Sequence, residues 1–240
     1  MPINLIEANV ENNFKNINFL DRYDYWIFDL DNTILNGDSD YSWINFLIQT
    51  GNVNKEEYEK KNQYFYDKYY EGNLDYDEWA EFALSTIKGK TPDHIQHLMT
   101  DFLSAVIEPM INIYALRLLH NHHHNNDVML LASATNSVIV NPIAKRLGFE
   151  NIVATEVEVI DGVYSGKIVG IPALGEGKLI KVREWMLNNN LDDFKNATFY
   201  SDSMNDFPLL LAVDKPIAVN PDNKLREECK KRSWEIIDLP

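Results

Sequence analysis

Residues 26–33 read W-I-F-D-L-D-N-T, an apolar run that ends on two aspartates one residue apart and a threonine. Trp26, Ile27 and Phe28 are the residues of a buried strand, and a carboxylate buried beside such residues costs several kcal/mol unless something compensates it. Any fold that accepts this stretch must therefore bring a cation or a set of hydrogen-bond donors to the end of that strand.

The rest of the pattern says what surrounds it. Residues 39–119 show helical spacing and almost no strand signal, with Tyr76, Trp79, Ala80, Ala83, Leu84 and Ile87 at steps of three and four along one face. Gly51-Asn52, Gly72-Asn73 and Gly89-Lys90-Thr91-Pro92 read as breaks, with Thr91 capping a helix that Pro92 begins. After Asn125-Asn126 strands and helices alternate: a strand at 128–132, a helix at 138–147 closed by Gly148, and extended segments at 152–157 and 163–169 around an Asp161-Gly162 turn. A helix at 178–187 with Leu179, Val182 and Met186 inward, a strand at 197–200, a helix at 207–213 and a strand at 217–219 complete it. This alternation predicts an α/β fold, a Rossmann-like parallel sheet with helices on both faces, interrupted after its first strand by an α-helical insert. The expected division is a polar, Asn-rich N-terminal extension at 1–22, a core from 23–37 and 119–240, and the helical insert at 38–118.

Charge and cysteine usage exclude some partners. With 37 acidic residues against 22 basic ones, a formal net charge of −15, the average surface repels phosphate backbones and anionic lipid headgroups, so neither nucleic acid nor a membrane is an expected partner. No run approaches the ~18 apolar residues of a membrane span, the first 25 residues lack the pattern of a signal peptide, and the single Cys229 has no internal partner. The expected location is the cytoplasm. A small anionic substrate is compatible with this charge where a cation or a few placed basic residues reverse the field locally.

In open parallel sheets, ligands bind beyond the carboxyl ends of strands, near a switch in strand order. Three polar groups follow expected strands: Asp29-Leu30-Asp31-Asn32-Thr33, Ser133-Ala134-Thr135 and Ser201-Asp202-Ser203-Met204-Asn205-Asp206. A fourth, Gly175-Glu176-Gly177-Lys178, opens a helix. In order and spacing, D-L-D-N-T, L-L-A-S-A-T, G-E-G-K and S-D-S-M-N-D-F-P-L-L resemble the four signature motifs of the haloacid dehalogenase superfamily, and the resemblance runs from Tyr23 to the end of the chain. The helical insert resembles that superfamily's C1-type cap, and the fourth motif followed by I-A-V-N-P-D-N-K-L-R is similar to subfamily IB, the phosphoserine phosphatase-like branch.

The resemblance implies hydrolysis of a small-molecule phosphate monoester. Phosphoryl transfer needs an in-line nucleophile, a proton donor for the leaving oxygen and positive charge around the transferring group. By resemblance Asp29 is the nucleophile, forming an aspartyl-phosphate that water cleaves. Asp31 protonates the leaving oxygen and then deprotonates the water; the dehalogenases of the superfamily lack an aspartate there, so its presence favours phosphate over halide. Ser133 donates to a phosphoryl oxygen, or else caps the next helix, a task that Thr135 or Asn136 can also take. Lys178 balances phosphate charge and steadies Asp29, against the ordinary fate of a solvated helix lysine, and Lys181 is the next candidate. Thr33, Asp38, Thr135 and Asn205 are expected on the substrate side, with loop fixing for Thr33 and helix capping for Asp38 and Asn205 as alternatives. Mg²⁺ is the implied cofactor, its ligands the Asp29 carboxylate, the Asp31 main-chain carbonyl and the Asp202 carboxylate, with Asp206 supporting them or serving as a helix N-terminal acid.

For the leaving group, the cap arginine that holds the amino acid in phosphoserine phosphatases is missing, since no arginine stands between Arg22 and Arg117. Lys55, Lys60, Lys61 and Lys68 remain as point charges, while Asp38 and Asp40 suit a substrate amine. The expected substrate is a phosphorylated amino acid or amino alcohol, of the phosphoserine or histidinol phosphate type. A phosphotransferase or mutase of the same superfamily and a non-catalytic phosphate-binding protein on the same fold are the alternatives. His120, His122, His123 and His124 read as a solvated helix end rather than a metal site. The aromatic series Tyr58, Tyr64, Phe65, Tyr66, Tyr69 and Tyr70 reads as cap packing rather than a stacking platform, with one or two of its members reaching the substrate, and Cys229, among charged residues with no nearby histidine, is not a nucleophile.

Overall fold

The computed structural model describes residues 25–191 and 194–240, so the 1–22 extension lies outside the described residues. The run that begins at Tyr25 is the centre of the sheet. β1 (Tyr25–Phe28) pairs in parallel with β2 (Val128–Asn136) on one side and β6 (Ala197–Ser201) on the other, Ile27 standing opposite both Leu130 and Phe199. β3 (Asn151–Thr155) extends the sheet beyond β2, and β7 (Lys215–Val219) and β8 (Glu235–Ile237) extend it beyond β6, giving the order β3-β2-β1-β6-β7-β8 with every pair parallel.

Strands buried on both faces need helices on both, which is why β1 is apolar at every position rather than alternating. Ile27, Leu130 and Phe199 pack with Val182 and Met186 of one helix (Glu176–Asn188), while Phe28 and Leu131 face the layer holding Ile139, Val140 and Ile143 of another (Ser137–Leu147). β4 (Val157–Ile160) and β5 (Val163–Ile168) form a separate antiparallel hairpin around Asp161 and Gly162, both at positive φ.

Between β1 and β2 the chain is helical: α1 (Ser39–Gln49), α2 (Lys55–Glu71), α3 (Tyr76–Ser85) and α4 (Pro92–Phe102), then one π turn (Leu103–Ile107), a short turn of helix (Glu108–Met110) and α5 (Ile113–Asn125). Thr91 caps α4 as its position ahead of Pro92 implies. The way in and the way out of the insert run side by side. Leu35 bridges Ile111, Asn36 N–H donates to the Met110 carbonyl at 2.7 Å, and Asn112 N–H donates to the Ile34 carbonyl at 3.0 Å. A limit drawn at 118/119 falls inside α5, which is continuous; the paired crossing at 34–36 and 110–112 is where main-chain bonding links the two connections.

One surface reading changes. His122 is buried, its ring 4.2 Å from that of Trp26 and its Nδ1 2.7 Å from Asp127 Oδ2, because it lies on the inward face of α5 while His120, His123 and His124 are exposed. Cys229 is fully buried too, one turn after Leu225 on the inward edge of an otherwise charged helix (Asn223–Arg232). Among the described residues no helix is long and apolar enough to cross a membrane.

Candidate active site

After β1 the chain builds β2 and β3 on one side and then crosses to β6, β7 and β8 on the other, so the strand order reverses at β1 and opens a crevice past its carboxyl end. Asp29 N–H still donates to the Tyr200 carbonyl at 2.9 Å, holding the first aspartate at the carboxyl end of the central strand. Leu30, fully buried, anchors the turn; Asn32 takes positive φ, and Ile34 and Leu35 N–H both return to the Leu30 carbonyl. That turn holds Asp29 and Asp31 on the wall of a cleft between the strand ends and the insert.

The compensation demanded by the sequence comes chiefly from Lys178. Its Nζ donates to Asp29 Oδ1 at 2.9 Å and to Asp206 Oδ2 at 2.8 Å, and Ser201 Oγ also donates to Asp206 Oδ2, at 2.7 Å. Lys178 is only 1% exposed, which excludes the solvated-lysine alternative. Burial works against its charge, but the Asp206 and Asp29 carboxylates outweigh that and hold its pKa above the ordinary lysine value. Asp206, at the start of a short helix (Phe207–Ala212), makes no capping bond there; the lysine and serine take its oxygens instead.

The helix bearing Lys178 is fixed from behind. A Cβ on Gly177 would stand 2.1 Å from the Pro172 carbonyl oxygen, so Gly177→Ala is expected to cost about 1–3 kcal/mol through overpacking and to displace the lysine. A denaturant midpoint equal to that of the native chain would contradict it.

Asp31 is held by both oxygens, Oδ1 accepting the Ser39 N–H at 2.7 Å and Oδ2 the Thr135 hydroxyl at 2.9 Å. Ser133 and Thr135 lie within β2, which runs to Asn136 rather than stopping at 132. Neither Thr135 nor Asn136 caps the following helix: the Asn136 amide donates to Asp40 Oδ1 at 2.9 Å. Ser133, nearly fully buried, lines the cleft and its Oγ accepts the Thr135 N–H at 3.2 Å. Asp38 both lines the cleft and caps α1 through the Tyr41 N–H at 2.8 Å. Asn205 lines it as well, its N–H donating to Ser203 Oγ at 3.2 Å. Thr33 lies outside the cleft wall, with its hydroxyl 3.5 Å from Asp29 Oδ2, too long to be more than a weak bond.

Asp29, Asp31, Asp38, Asp40, Asp202 and Asp206 all line the cleft, and Lys178 is the one basic residue among its described lining. Burial pushes Asp29 up to about 7, with Lys178 opposing and Asp206 adding to the rise. Asp31 is likewise pushed up to about 7 by burial and by Asp38, against the donors Ser39 and Thr135. Asp202 is raised well above the carboxylate range by burial and by Asp29 and Asp206, with Lys178 a lesser, opposing influence. Among the described residues, no three His, Cys, Asp or Glu side chains are grouped as a metal cage. The implied donor set asks for less, two carboxylates from Asp29 and Asp202 and the Asp31 main-chain carbonyl. Such oxygen donors fit Mg²⁺, which keeps several waters and takes few carboxylates, and the excess negative charge here calls for a cation.

Asn62, Phe65, Tyr66 and Tyr69, at i, i+3, i+4 and i+7 of α2, form one face of the cleft. Tyr66 and Tyr69 are therefore not packing alone, and the Tyr69 hydroxyl lies 3.4 Å from Ser203 Oγ, joining the insert to the loop after β6. The signal available in the sequence was the asparagine opening an otherwise aromatic helical stripe.

Comparison with known proteins agrees with this arrangement. The family model of the haloacid dehalogenase-like hydrolases matches residues 26–211. A histidinol-phosphatase of Neisseria meningitidis is 37% identical over 216 residues, covering 89% of this chain and 97% of that one. A crystal structure of a Bordetella pertussis protein described as of unknown function shares 36% identity and superposes with a TM-score of 0.83 over 91% of this chain and all of its own. A phospho-aspartyl intermediate analogue of phosphoserine phosphatase, at 15% identity, has the same fold, with a TM-score of 0.65 over 90% of this chain and 93% of its own. With the sheet order, the lysine-bridged aspartates and a family match that spans Asp29, Lys178 and Asp206, the chain belongs to the haloacid dehalogenase-like hydrolases.

Proposed function

We propose that the chain is a Mg²⁺-dependent phosphomonoesterase that works through an aspartyl-phosphate on Asp29. The observation that carries this reading is the buried Lys178, bonded to both Asp29 and Asp206 at the strand-order switch, with Asp31 two residues from the nucleophile. Lys178 orients one Asp29 oxygen, which leaves the other to attack phosphorus. As the ester bond breaks, Asp31 delivers its proton to the departing alcohol oxygen. It then takes a proton from the water that cleaves the acyl phosphate, so that inorganic phosphate leaves and Asp29 is regenerated. A carboxyl raised toward 7 suits both duties near neutral pH. Ser133 and Lys178 hold phosphoryl oxygens. Mg²⁺, held by Asp29, Asp202 and the Asp31 carbonyl with Asp206 behind them, would add positive charge against the same oxygens.

The leaving group in this reading is a small amino alcohol, of the histidinol type. Two things support it: the full-length relative is a histidinol-phosphatase, and the described cleft lining offers no arginine for a carboxylate and has Asp38 and Asp40 in its place.

Hydrolysis of p-nitrophenyl phosphate tests the core of the reading. It is expected to require Mg²⁺, to vanish with a chelator and to return on adding the metal back. Folded protein that hydrolyses neither this ester nor a panel of phosphorylated metabolites in Mg²⁺ would overturn it.

A further inference from the structure

The cleft contains a group that the proposed phosphoryl chemistry leaves unused. Asn62 is 1% exposed on the cleft face of α2. Its amide nitrogen donates to the Tyr41 carbonyl and to Asn45 Oδ1, both at 3.1 Å. Only the nitrogen of an amide donates, so these two bonds fix which way round the side chain sits. Its Oδ1 is then buried with no hydrogen-bond partner, an arrangement that is unfavourable until a donor reaches it.

Asp40 is the second such group. It is buried in the same cleft, and one oxygen is held by the Asn136 amide at 2.9 Å. It is neither one of the proposed Mg²⁺ ligands nor a holder of phosphoryl oxygens. The same cleft is lined by the rings of Tyr41, Tyr66, Tyr69 and Trp79, and the faces of such rings attract cations. The one basic residue of the described lining, Lys178, is taken up by Asp29 and Asp206 and, in the proposed reaction, by the phosphoryl group.

We infer that Asn62 and Asp40 form a nitrogen-reading subsite for the leaving group, Asn62 Oδ1 accepting an N–H and the Asp40 carboxylate pairing with a cationic nitrogen. The class of ester it selects carries an amine or a protonated imidazole on the alcohol and no carboxylate. A carboxylate brought to the same wall would meet an acceptor oxygen and an acid, and would leave its own oxygens without donors. This inference rests on the phosphatase reading and adds the residues that choose the alcohol.

The test measures kcat and KM of the native chain, Asn62→Leu and Asp40→Asn on three esters: histidinol phosphate, phosphoserine and p-nitrophenyl phosphate, with melting curves for each protein. In both variants the ratio of kcat/KM for histidinol phosphate to that for p-nitrophenyl phosphate is expected to fall by about tenfold or more, chiefly through KM. Asp40→Asn is also expected to narrow the native preference for histidinol phosphate over phosphoserine. If Asn62→Leu does not fold, Asp40→Asn decides by the same ratio. Hydrolysis with the ratio unmoved overturns the subsite and leaves the phosphatase reading standing. Failure of the native chain to hydrolyse any of the three overturns that reading, and this inference with it.

Discussion

Replacing Asp29 by asparagine is expected to lower hydrolysis of any phosphate ester by on the order of 10⁴-fold or more, with the chain still folded. The amide has the shape of the carboxyl but no nucleophilic oxygen. Its burial should be harmless, because the site already disfavours the charged form enough to push Asp29 up to about 7. Asp206 continues to pair with Lys178 in the variant. Asp31→Asn should behave differently, and the contrast assigns the roles. Losing a general acid and base costs roughly 10²–10⁴-fold, but nitrophenolate leaves without a proton. With p-nitrophenyl phosphate the first half-reaction therefore survives in Asp31→Asn while water attack slows. Rapid mixing should show a burst of nitrophenol close to one per chain, together with a phosphorylated protein. In Asp29→Asn there should be neither. A burst that survives Asp29→Asn would move the nucleophile to another residue.

How far the site could be read in advance follows from which interactions are local. The end of β1 and the turn after it were legible because an apolar run breaking into aspartates has few physical solutions, and Asp29, Asp31, Ser133, Lys178, Asp202 and Asp206 do line one cleft. What the letters did not carry was the partner of each group. Thr135 serves Asp31 and Asn136 serves Asp40 rather than capping a helix, because both are still in β2 when they reach the cleft and the competing acceptors arrive from a distant part of the chain. Asp38 is the opposite case, since its local capping bond and its cleft position coexist. The last helix and β8 escaped notice for a compositional reason: only Leu225 and Cys229 of Asn223–Arg232 are buried, too few to make an apolar stripe, and Glu235–Ile237 is three residues long at the sheet edge. His122 shows the same limit, because one inward position in a run of exposed histidines depends on where β1 sets Trp26.

Lys178→Met is expected to destabilise the chain strongly. Methionine nearly preserves the volume of the aliphatic stem, so the packing near Phe199, whose ring centroid is 5.8 Å from Nζ, changes little. What is lost is the charge, and removing one partner from a buried ion pair costs about 3–5 kcal/mol, or roughly 10 °C in melting temperature for a chain of this size. The effect should depend on pH in a definite sense. In the metal-free native chain Asp29 sits near 7 against an ordinary value of 3.8. Its raised pKa means that its contribution to stability is fully present below about 4 and is lost as pH rises through about 7. Without the lysine nothing comparable opposes burial, the folded pKa moves higher, and the variant goes on losing stability above pH 7 where the native chain has finished. Melting curves in chelator should show a gap between the two proteins at pH 5, where Asp206 has already lost its partner, and a larger one at pH 8. A gap that is the same at both would mean that Asp29 is compensated by something else.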